Sequence, residues 1–545
     1  MASQLFEELL RARGLDDPVT RAAFLMPGYD AMKHDPYLLP DMEPAVQRLL
    51  EAKEKQELVY IYGDYDIDGL TATTTLLEAF RAFGIRVESF IPNRFVEGYG
   101  LTKPAVQLLR DRDAKLIVTV DCGSLSHAEI EFANELGMEV IVTDHHSVAE
   151  TMPPAVATIN PKRLDHKYPF IDLAGVGVAF KLVQALQQRT NGLLEGHEKW
   201  LLDLVCMGTV CDVVTLVDEN RANVFWGLKV MHKTRRPGIR ALAAVAGLKV
   251  EELDARHLGF VLGPHLNAAG RLETAQLSLD LLTATDPQKA LEIAYQLHDM
   301  NVARRTEQDR IVKEAIVQAD QFTDYPVLVL SGQTWSHGII GIVAAKMLER
   351  YAKPTFVLQE MGEESKGSAR SYGDFSAVES IRAVEKWLTH GGGHKLAAGV
   401  TLPTENIVAF REAVNEFYRS LKLADQLHYL QPKADAMIDG FSRIGPELMI
   451  ELKQLEPFGN GNPSPIFHIP EATVLERRLM GKERQHLKLK VQDGNRRPFS
   501  VIGFNLAEKV IADAGDIVEL WIELIENEWR GVVSIEGRLL RVETV

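Results

Sequence analysis

The chain has 545 residues, of which 46% are apolar and 25% charged, with a formal net charge of −16. This length is too great for one hydrophobic core and predicts three or four domains, and no apolar run reaches the ~18 residues of a membrane span, so no membrane partner is expected. The acidic balance argues against a chain coated in nucleic acid but does not exclude one held in a groove, where charge is local and bound cations add what the count omits.

Residues 1–50 read as short helical pieces broken by Pro and Gly, an N-terminal helical cap with no chemistry of its own. The opening MASQLFEELLRARGLDD carries acids and no apolar core, unlike a secretory signal. A βα rhythm follows over 51–285. Residues 58–62 are a short apolar run closed by Gly63-Asp64-Tyr65-Asp66-Ile67-Asp68-Gly69, with a helix over 70–83. Residues 116–120 are closed by Asp121-Cys122-Gly123, and 139–143 by Asp144-His145-His146. β-Branched runs alternating with helices predict a parallel sheet covered on both faces. From Asp172 to Asp324 the pattern is mainly helical, and 286–325 holds a long charged helix suited to connect domains. A smaller α/β pattern occupies 326–425. Over 430–545, strict alternation in 486–491 and further short strands predict an antiparallel, OB-like β-barrel. The three cysteines, Cys122, Cys206 and Cys211, include no CxxC and build no disulfide framework, which points to packing thiols in a reducing cytoplasm.

In an open parallel sheet the ligand crevice lies beyond the carboxyl ends of the strands. Asp64, Asp66, Asp68, Asp121, Asp144, His145 and His146 all fall at such ends. Carboxylates gathered in one place repel unless a cation neutralises them. Asp66 and Asp68 turn into one site if the backbone leaves extended geometry after Tyr65, a turn for which Gly69 supplies freedom. Carboxylates with imidazole suit Mn²⁺ or Mg²⁺ better than a thiolate-seeking ion, and two such ions ~3.5–4 Å apart are a known device for phosphodiester hydrolysis. Taken singly, the Asp-rich loop is compatible with a solvated turn, Asp121 with a helix N-cap and the His pair with chance. The order DxDxD, D, DHH after consecutive strands makes one motif of them.

TDHHS at 143–147, with GDYDIDG at 63–69 and DCG at 121–123, resembles the DHH phosphoesterase superfamily, and GTVCD at 208–212 resembles the helical segment that supplies its last carboxylate. PNRFVEGYG at 92–100, GPHLNAAGR at 263–271, HGIIGIVA at 337–344, GSARS at 367–371, GGGH at 391–394 and PFGNGNP at 457–463 resemble the RecJ family in particular. The resemblance covers nearly the whole chain. It implies an α/β, parallel-sheet DHH domain joined by a long helix to a smaller α/β DHHA1 domain, then an OB-like barrel. It also implies a single-stranded-DNA-specific 5′→3′ exonuclease that releases 5′-mononucleotides by two-metal-ion hydrolysis, in recombination and repair.

By that resemblance Asp66, Asp68, Asp121, His145 and Asp212 hold two Mn²⁺ or Mg²⁺ ions, with Asp121 bridging. Asp64 joins the metal set and Asp144 stands just behind it. His146 either hydrogen-bonds the phosphate or leaving oxygen, or supports His145. Arg94, Ser368 and Arg370 suit a terminal 5′-phosphate, the glycine-rich turn with Gly392, Gly393 and His394 lets backbone N–H groups approach a phosphate, and Asn267 and Arg271 suit the strand nearer the metals. Basic residues of the last domain, among them Arg477, Arg478, Lys488 and Lys490, suit sequence-independent single-strand binding. Single-stranded DNA, a single-strand-binding protein and a RecQ-type helicase are the implied partners, in the bacterial cytoplasm and at the nucleoid. Two positions depart from the pattern. Tyr62 stands where some DHH enzymes have a His, which leaves one ion's shell less complete, and His265 replaces an expected Arg and is assigned no role. The alternatives are a DHH phosphatase or oligoribonuclease on pAp, cyclic dinucleotides or short RNA, which would be shorter and lack 432–545, and a non-catalytic DHH-fold replication scaffold, which would have lost ligands.

Overall fold

Short, mostly buried strands set the first sheet. In the computed structural model, which describes residues 3–93, 100–529 and 531–545, β1 (Val59–Gly63), β2 (Val87–Phe90), β3 (Leu116–Val120), β4 (Glu139–Thr143) and β5 (Ala157–Ile159) pair in parallel in the order β2-β1-β3-β4-β5. On one face Tyr60, Tyr62, Ile117, Val140 and Val142 share a core with Val106 and Leu109 of α5 (Lys103–Asp111) and Ile130 of α6 (His127–Glu135). On the other lie α4 (Ile67–Phe83), α7 (Gly175–Gln187) and α8 (Leu202–Cys211), packed on one another. This is the doubly covered parallel sheet expected. Strands β2 and β5 went unread because four and three residues carry too little periodicity to show.

Residues 1–50 do not form a single cap. Helix α1 (Gln4–Ala12) buries Leu5, Phe6, Leu9 and Leu10 in the core of the C-terminal barrel, where Phe24 and Leu25 at the end of α2 (Pro18–Leu25) also pack. Helix α3 (Met42–Lys55) instead packs on α7 and β5. A nine-residue amphipathic helix has no core of its own, and its apolar stripe does not say which neighbour will cover it.

Helices α9 (Asp218–Met231), α10 (Pro237–Val245), α11 (Ala255–His257), α12 (Gly263–Leu272) and α13 (Gln276–Thr283) follow, and then α14 (Pro287–Ala319), the expected long connector. The chain divides into two compact units, Met1–Tyr295 with Pro432–Val545, and Gln296–Gln431.

In the second unit β6 (Leu328–Gly332), α15 (His337–Tyr351), β7 (Thr355–Met361), β8 (Glu364–Arg370), α16 (Ala377–Ala383), β9 (His390–Gly393), β10 (Ala397–Pro403) and α17 (Ile407–Ser420) build a sheet of order β6-β7-β8-β10-β9 with its helices. Its core holds Val329, Phe356, Leu358, Val400, Leu402 and Phe410. The turn expected at Gly391–His394 is corrected here. Gly391, Gly392 and Gly393 lie in the edge strand β9, paired to Val400, Gly399 and Ala398, and only His394 begins the turn into β10. Glycine has no strand propensity, so pairing with β10 rather than local preference decides.

The last module comprises β11 (Ala436–Met437), α18 (Pro446–Lys453), β12 (Phe467–Met480), β13 (His486–Gln492), β14 (Pro498–Gly503), β15 (Ile517–Trp529) and β16 (Val532–Thr544). Strand β12 pairs with both β13 and β15, so the ring β12-β13-β14-β16-β15 closes. The ring is antiparallel as expected except at β14–β16, which pair in parallel. Closure removes the exposed edges an open sheet would present.

Because Leu9 is fully buried in the barrel core, Leu9→Ala is expected to cost ~2–5 kcal/mol and to speed hydrogen exchange in β12 and β15. Unchanged exchange there would show that α1 contributes nothing to the barrel.

Candidate metal centre

Each acidic motif begins where its strand stops. The N–H groups of Asp64, Asp121 and Asp144 donate to the carbonyls of Val120, Thr143 and Ile159, continuing the ladder by one step and setting all three at one level. Asp121 then turns into left-handed backbone at φ 61, a region that Asp visits more readily than most residues. Asp66 caps α4, its carboxylate accepting from the Gly69 N–H at 3.1 Å, and Asp68 lies in that helix's first turn. The helix therefore starts three residues earlier than expected. Gly69 serves here by size, not by conformational freedom: it is helical, and a Cβ on it would collide with the Asp64 backbone. Asp212 ends α8 as its C-cap.

Three overlapping groups result, Asp64/Asp66/Asp121, Asp121/His145/His146 and Asp68/His145/Asp212, with the ligand-type atoms of each within 4.8 Å of one another. Asp121 and His145 each belong to two groups. His145 Nε2 lies 3.1 Å from Asp121 Oδ1, 3.5 Å from Asp212 Oδ2 and 3.8 Å from Asp68 Oδ2. Buried polar atoms are nearly always hydrogen-bonded. Yet Asp121 Oδ1, His145 Nε2 and Asp212 Oδ2 are buried with no hydrogen-bond partner among the described residues. Carboxylate oxygens and imidazole nitrogen converging in this way fit divalent cations such as Mn²⁺ or Mg²⁺.

The supporting layer is mostly backbone. Gly175 and Val176, at the N-terminus of α7, donate their N–H groups to Asp68 at 2.6 and 2.8 Å. The Leu173 backbone hydrogen-bonds His145. Gly175 itself lies so close to Asp121 that a Cβ there would sit 2.8 Å from Oδ1. Segment 172–176 thus touches three of the clustered residues. Sequence reasoning missed it, as it missed Asn160, whose amide donates to Ser124 and to the His146 carbonyl, each at 2.9 Å. The one available signal was AGVG opening an apolar helix. Asp144 joins none of the three groups. It accepts from Ser124, His145 and His146 N–H groups and from His146 Nδ1 at 2.8 Å, so its work is to orient His146.

Tyr62 is fully buried and donates to the Gly100 carbonyl at 2.9 Å, stacked on Phe90. His265 is buried in α12, its ring on the Val261 carbonyl. Cys122 and Cys211 are packed with their thiols pushed up by burial.

Electrostatics follow from this crowding. Burial, and then the charge of Asp66, pushes Asp68 up to about 7. Burial, with Asp68 and Asp66, pushes Asp212 up to about 9, and Asp121 rises well above the carboxylate range for the same reasons. Burial pulls His145 down to about 3, keeping it the neutral imidazole that a metal binds. Burial also pulls on His146, but the hydrogen bond and charge of Asp144 outweigh it and raise its pKa.

Asn267 and Arg271 lie four apart on α12, both part-buried on one face. In the second unit Lys366, Ser368 and Arg370 alternate onto one face of β8, with Gly341 of α15 against Ser368 and Arg370. Ser368 pairs with Gly399, which pairs with Gly392, and beside this rung is a cavity of about 420 Å³ lined by His337, Lys366 and His390 with glycine backbone. Burial lowers the pKa of the Arg370 guanidinium, whose Nη1 donates to the Ala369 carbonyl. Arg94 lies outside the described residues. Two of the basic barrel residues are engaged: Arg477 donates to the Ala507 and Val510 carbonyls, and Lys488 pairs with Glu536.

Family models match the chain at residues 58–209 (DHH family, N-terminal domain), 324–420 (DHHA1 domain) and 435–540 (RecJ OB domain). The "Single-stranded-DNA-specific exonuclease RecJ" of Bacillus subtilis is 35% identical over 96% of this chain and 66% of its own length. The Haemophilus influenzae protein of that name is 33% identical over 92% of this chain and 90% of its own. The chain belongs to the RecJ family. Among solved structures, RecJ from Thermus thermophilus in complex with Mn²⁺ matches with a TM-score of 0.83 at 30% identity, covering 99% of this chain and 78% of that one. The Mg²⁺ complex of RecJ from the same organism matches at 0.77 and 28%, covering 99% and 76%. No helix among the described residues is long and apolar enough to cross a membrane.

A raised carboxyl pKa stabilises the metal-free fold below the unfolded value and loses that contribution as pH climbs through the folded one, here about 7 for Asp68 and about 9 for Asp212. Metal-free protein should therefore lose Tm between about pH 6 and pH 9, and because cations replace those protons, Mn²⁺ should raise Tm more at the upper end. Thermal melts with Mn²⁺ or EDTA at both pH values check this; equal increments would contradict it.

Proposed function

We propose that this chain is a metal-dependent 5′→3′ exonuclease specific for single-stranded DNA, releasing 5′-mononucleotides in recombination and repair. The observation that carries the chemistry is the convergence of unpaired Asp121, His145 and Asp212 atoms; family membership carries the substrate. Asp66, Asp68, Asp121, His145 and Asp212, with Asp64, would hold two ions, and Asp121, which belongs to two of the groups, would be the carboxylate shared between them. When bound, the ions activate water for in-line attack on phosphorus and offset charge growing on the phosphate oxygens. Asp144 stays ionised, accepts a hydrogen bond from His146 Nδ1–H and aims the ring, so that Nε2–H donates to the scissile phosphate or the leaving oxygen. Asn267 and Arg271 hold the strand near the metals. In the second unit Ser368 and Arg370 with the Gly392–Gly393 backbone and His394 take a terminal 5′-phosphate, for which a part-buried guanidinium and side-chain-free strands are suited; Arg94, outside the described residues, is a further phosphate contact by family membership.

The division of labour is 1–50 for support, 51–285 for chemistry, 286–325 as connector, 326–425 for substrate and 430–545 for single-strand binding. A single-strand-binding protein and a RecQ-type helicase fit as partners, in the bacterial cytoplasm at the nucleoid. The closed barrel disfavours a phosphatase or short-RNA nuclease, and the full set of acids disfavours a non-catalytic scaffold.

A digest of 5′- and 3′-labelled single strands with Mn²⁺, Mg²⁺ or EDTA should release the 5′ label first and stop in EDTA. Prior release of the 3′ label, or action on dinucleotides alone, would sink this reading. Asp121→Ala removes the carboxylate shared by two groups. Changing an outer-layer partner already costs about 10–100-fold, so more than about 100-fold loss is expected with the fold retained by circular dichroism. Full activity in that variant would refute the metal assignment.

A further inference from the structure

Asp212 sits at the C-terminal end of a helix, whereas Asp64 and Asp121 continue strand ladders and Asp66 and Asp68 open a helix. Asp212 caps α8, and the next residue, Val213, adopts φ 62. A β-branched side chain in left-handed backbone is a genuine outlier that persists only where its surroundings hold it. The helix itself grips it weakly, through Val213 N–H to the Val210 carbonyl at 3.3 Å, and the residue is 63% exposed. What meets the turn is a hairpin almost 250 residues away in sequence, in the segment leading into the barrel. Gly459 and Asn462 pair through both backbone hydrogen bonds, with Asn460 and Gly461 at the tip. The Asn460 amide donates to the Val213 carbonyl at 2.9 Å, and the Asn460 carbonyl accepts from the Leu216 N–H at 2.7 Å. Contact is close enough that a Cβ on Gly459 would lie 2.6 Å from Leu216 Cδ1, and Gly461, at φ +74, packs on Thr215.

The hairpin is anchored from behind. Asn462 is buried, donates to the Leu455 and Pro457 carbonyls and accepts from Arg13, which also donates to the Pro463 carbonyl. Arg221, 1% exposed, donates to the carbonyls of Phe24, Glu456 and Pro457. Thr215 in turn donates to Asp172 at 3.0 Å, at the head of the segment whose Gly175 and Val176 hold Asp68.

We propose that Asn460 is a positioning residue for the metal centre: by taking the Val213 carbonyl it holds the left-handed turn and so fixes Asp212 toward His145. This rests on the reading of Asp212 as a metal ligand. Outer-layer residues that orient ligands commonly change metal affinity by about 10–100-fold. The test is calorimetric Mn²⁺ titration of the metal-free full chain, read beside its Tm. In the parent, two bound ions are expected; no Mn²⁺ binding there would sink the metal-site reading itself. Asn460→Ala, at an exposed position, should weaken one ion about tenfold with little change in metal-free Tm. Asn460→Asp, which turns an acceptor toward the Val213 carbonyl, should weaken it further. Val213→Gly combined with Asn460→Ala should recover affinity, since glycine adopts this backbone without a clamp. Parent-like Mn²⁺ binding in both Asn460 variants, or no recovery in the double variant, would overturn the proposal.

Discussion

Gathering Asp64, Asp66, Asp68, Asp121 and Asp212 in one pocket sets like charges against one another where water is scarce. At an effective dielectric of ~20, two unit charges ~4 Å apart differ by ~4 kcal/mol from isolated ones, and several such pairs arise here. The positive end of α7, whose N–H groups meet Asp68, offsets at most ~2 kcal/mol. Protons or cations must supply the rest, and the raised Asp68, Asp121 and Asp212 pKa values are the proton half of that choice. The fold makes the cation half available by leaving Asp121 Oδ1, His145 Nε2 and Asp212 Oδ2 unpaired. Neutral His145 and acceptor-only oxygens offer lone pairs in one direction, which a proton cannot satisfy together.

Such a cluster tolerates little drift, and the parts that hold it are correspondingly stiff. Asp64, Asp121 and Asp144 are pinned to neighbouring strand ends by their own backbone. Asp144, rich in donors, keeps its charge and spends it on His146 rather than on the clustered acids. Two adjacent histidines thus diverge: burial leaves His145 neutral, while Asp144 makes His146 the easier to protonate. One carboxylate's placement separates a neutral imidazole from one that protonates readily.

What was legible in the sequence was whatever repeats or carries unusual side chains. Three strand-end motifs stand out because acids and histidines rarely interrupt β-branched runs, and the structure brings Asp64, Asp66, Asp68, Asp121, His145, His146 and Asp212 together. The parallel sheet and the closing barrel were readable from periodicity. Segment 172–176 was not, because it acts through N–H groups and a missing Cβ, which leave no mark on side-chain patterning. Strand β9 was hidden because three glycines favour no conformation until β10 pairs with them. The split of residues 1–50 was unreadable because the stripe of α1 announces burial but not the partner. The role of Gly69 was misjudged for a related reason: a glycine in sequence does not reveal whether torsion or space demands it.

Several of those hidden parts act across long sequence distances. The supports of the metal centre include the Leu173 backbone, Asn160 and, through the Val213 turn, a loop at 459–462. The barrel core in turn contains Leu5, Phe6, Leu9, Leu10 and Leu15. The first residues, the parallel-sheet half and the last module therefore form one compact unit, although their patterning reads as separate domains. A clustered carboxylate carried on a helix end needs such closure more than one carried on a strand end. A strand is fixed from both sides by its ladder, whereas the last turn of a helix leaves carbonyls without intrahelical partners. Here the Val213 carbonyl, one residue beyond Asp212, finds its donor only after the chain has returned from the second unit.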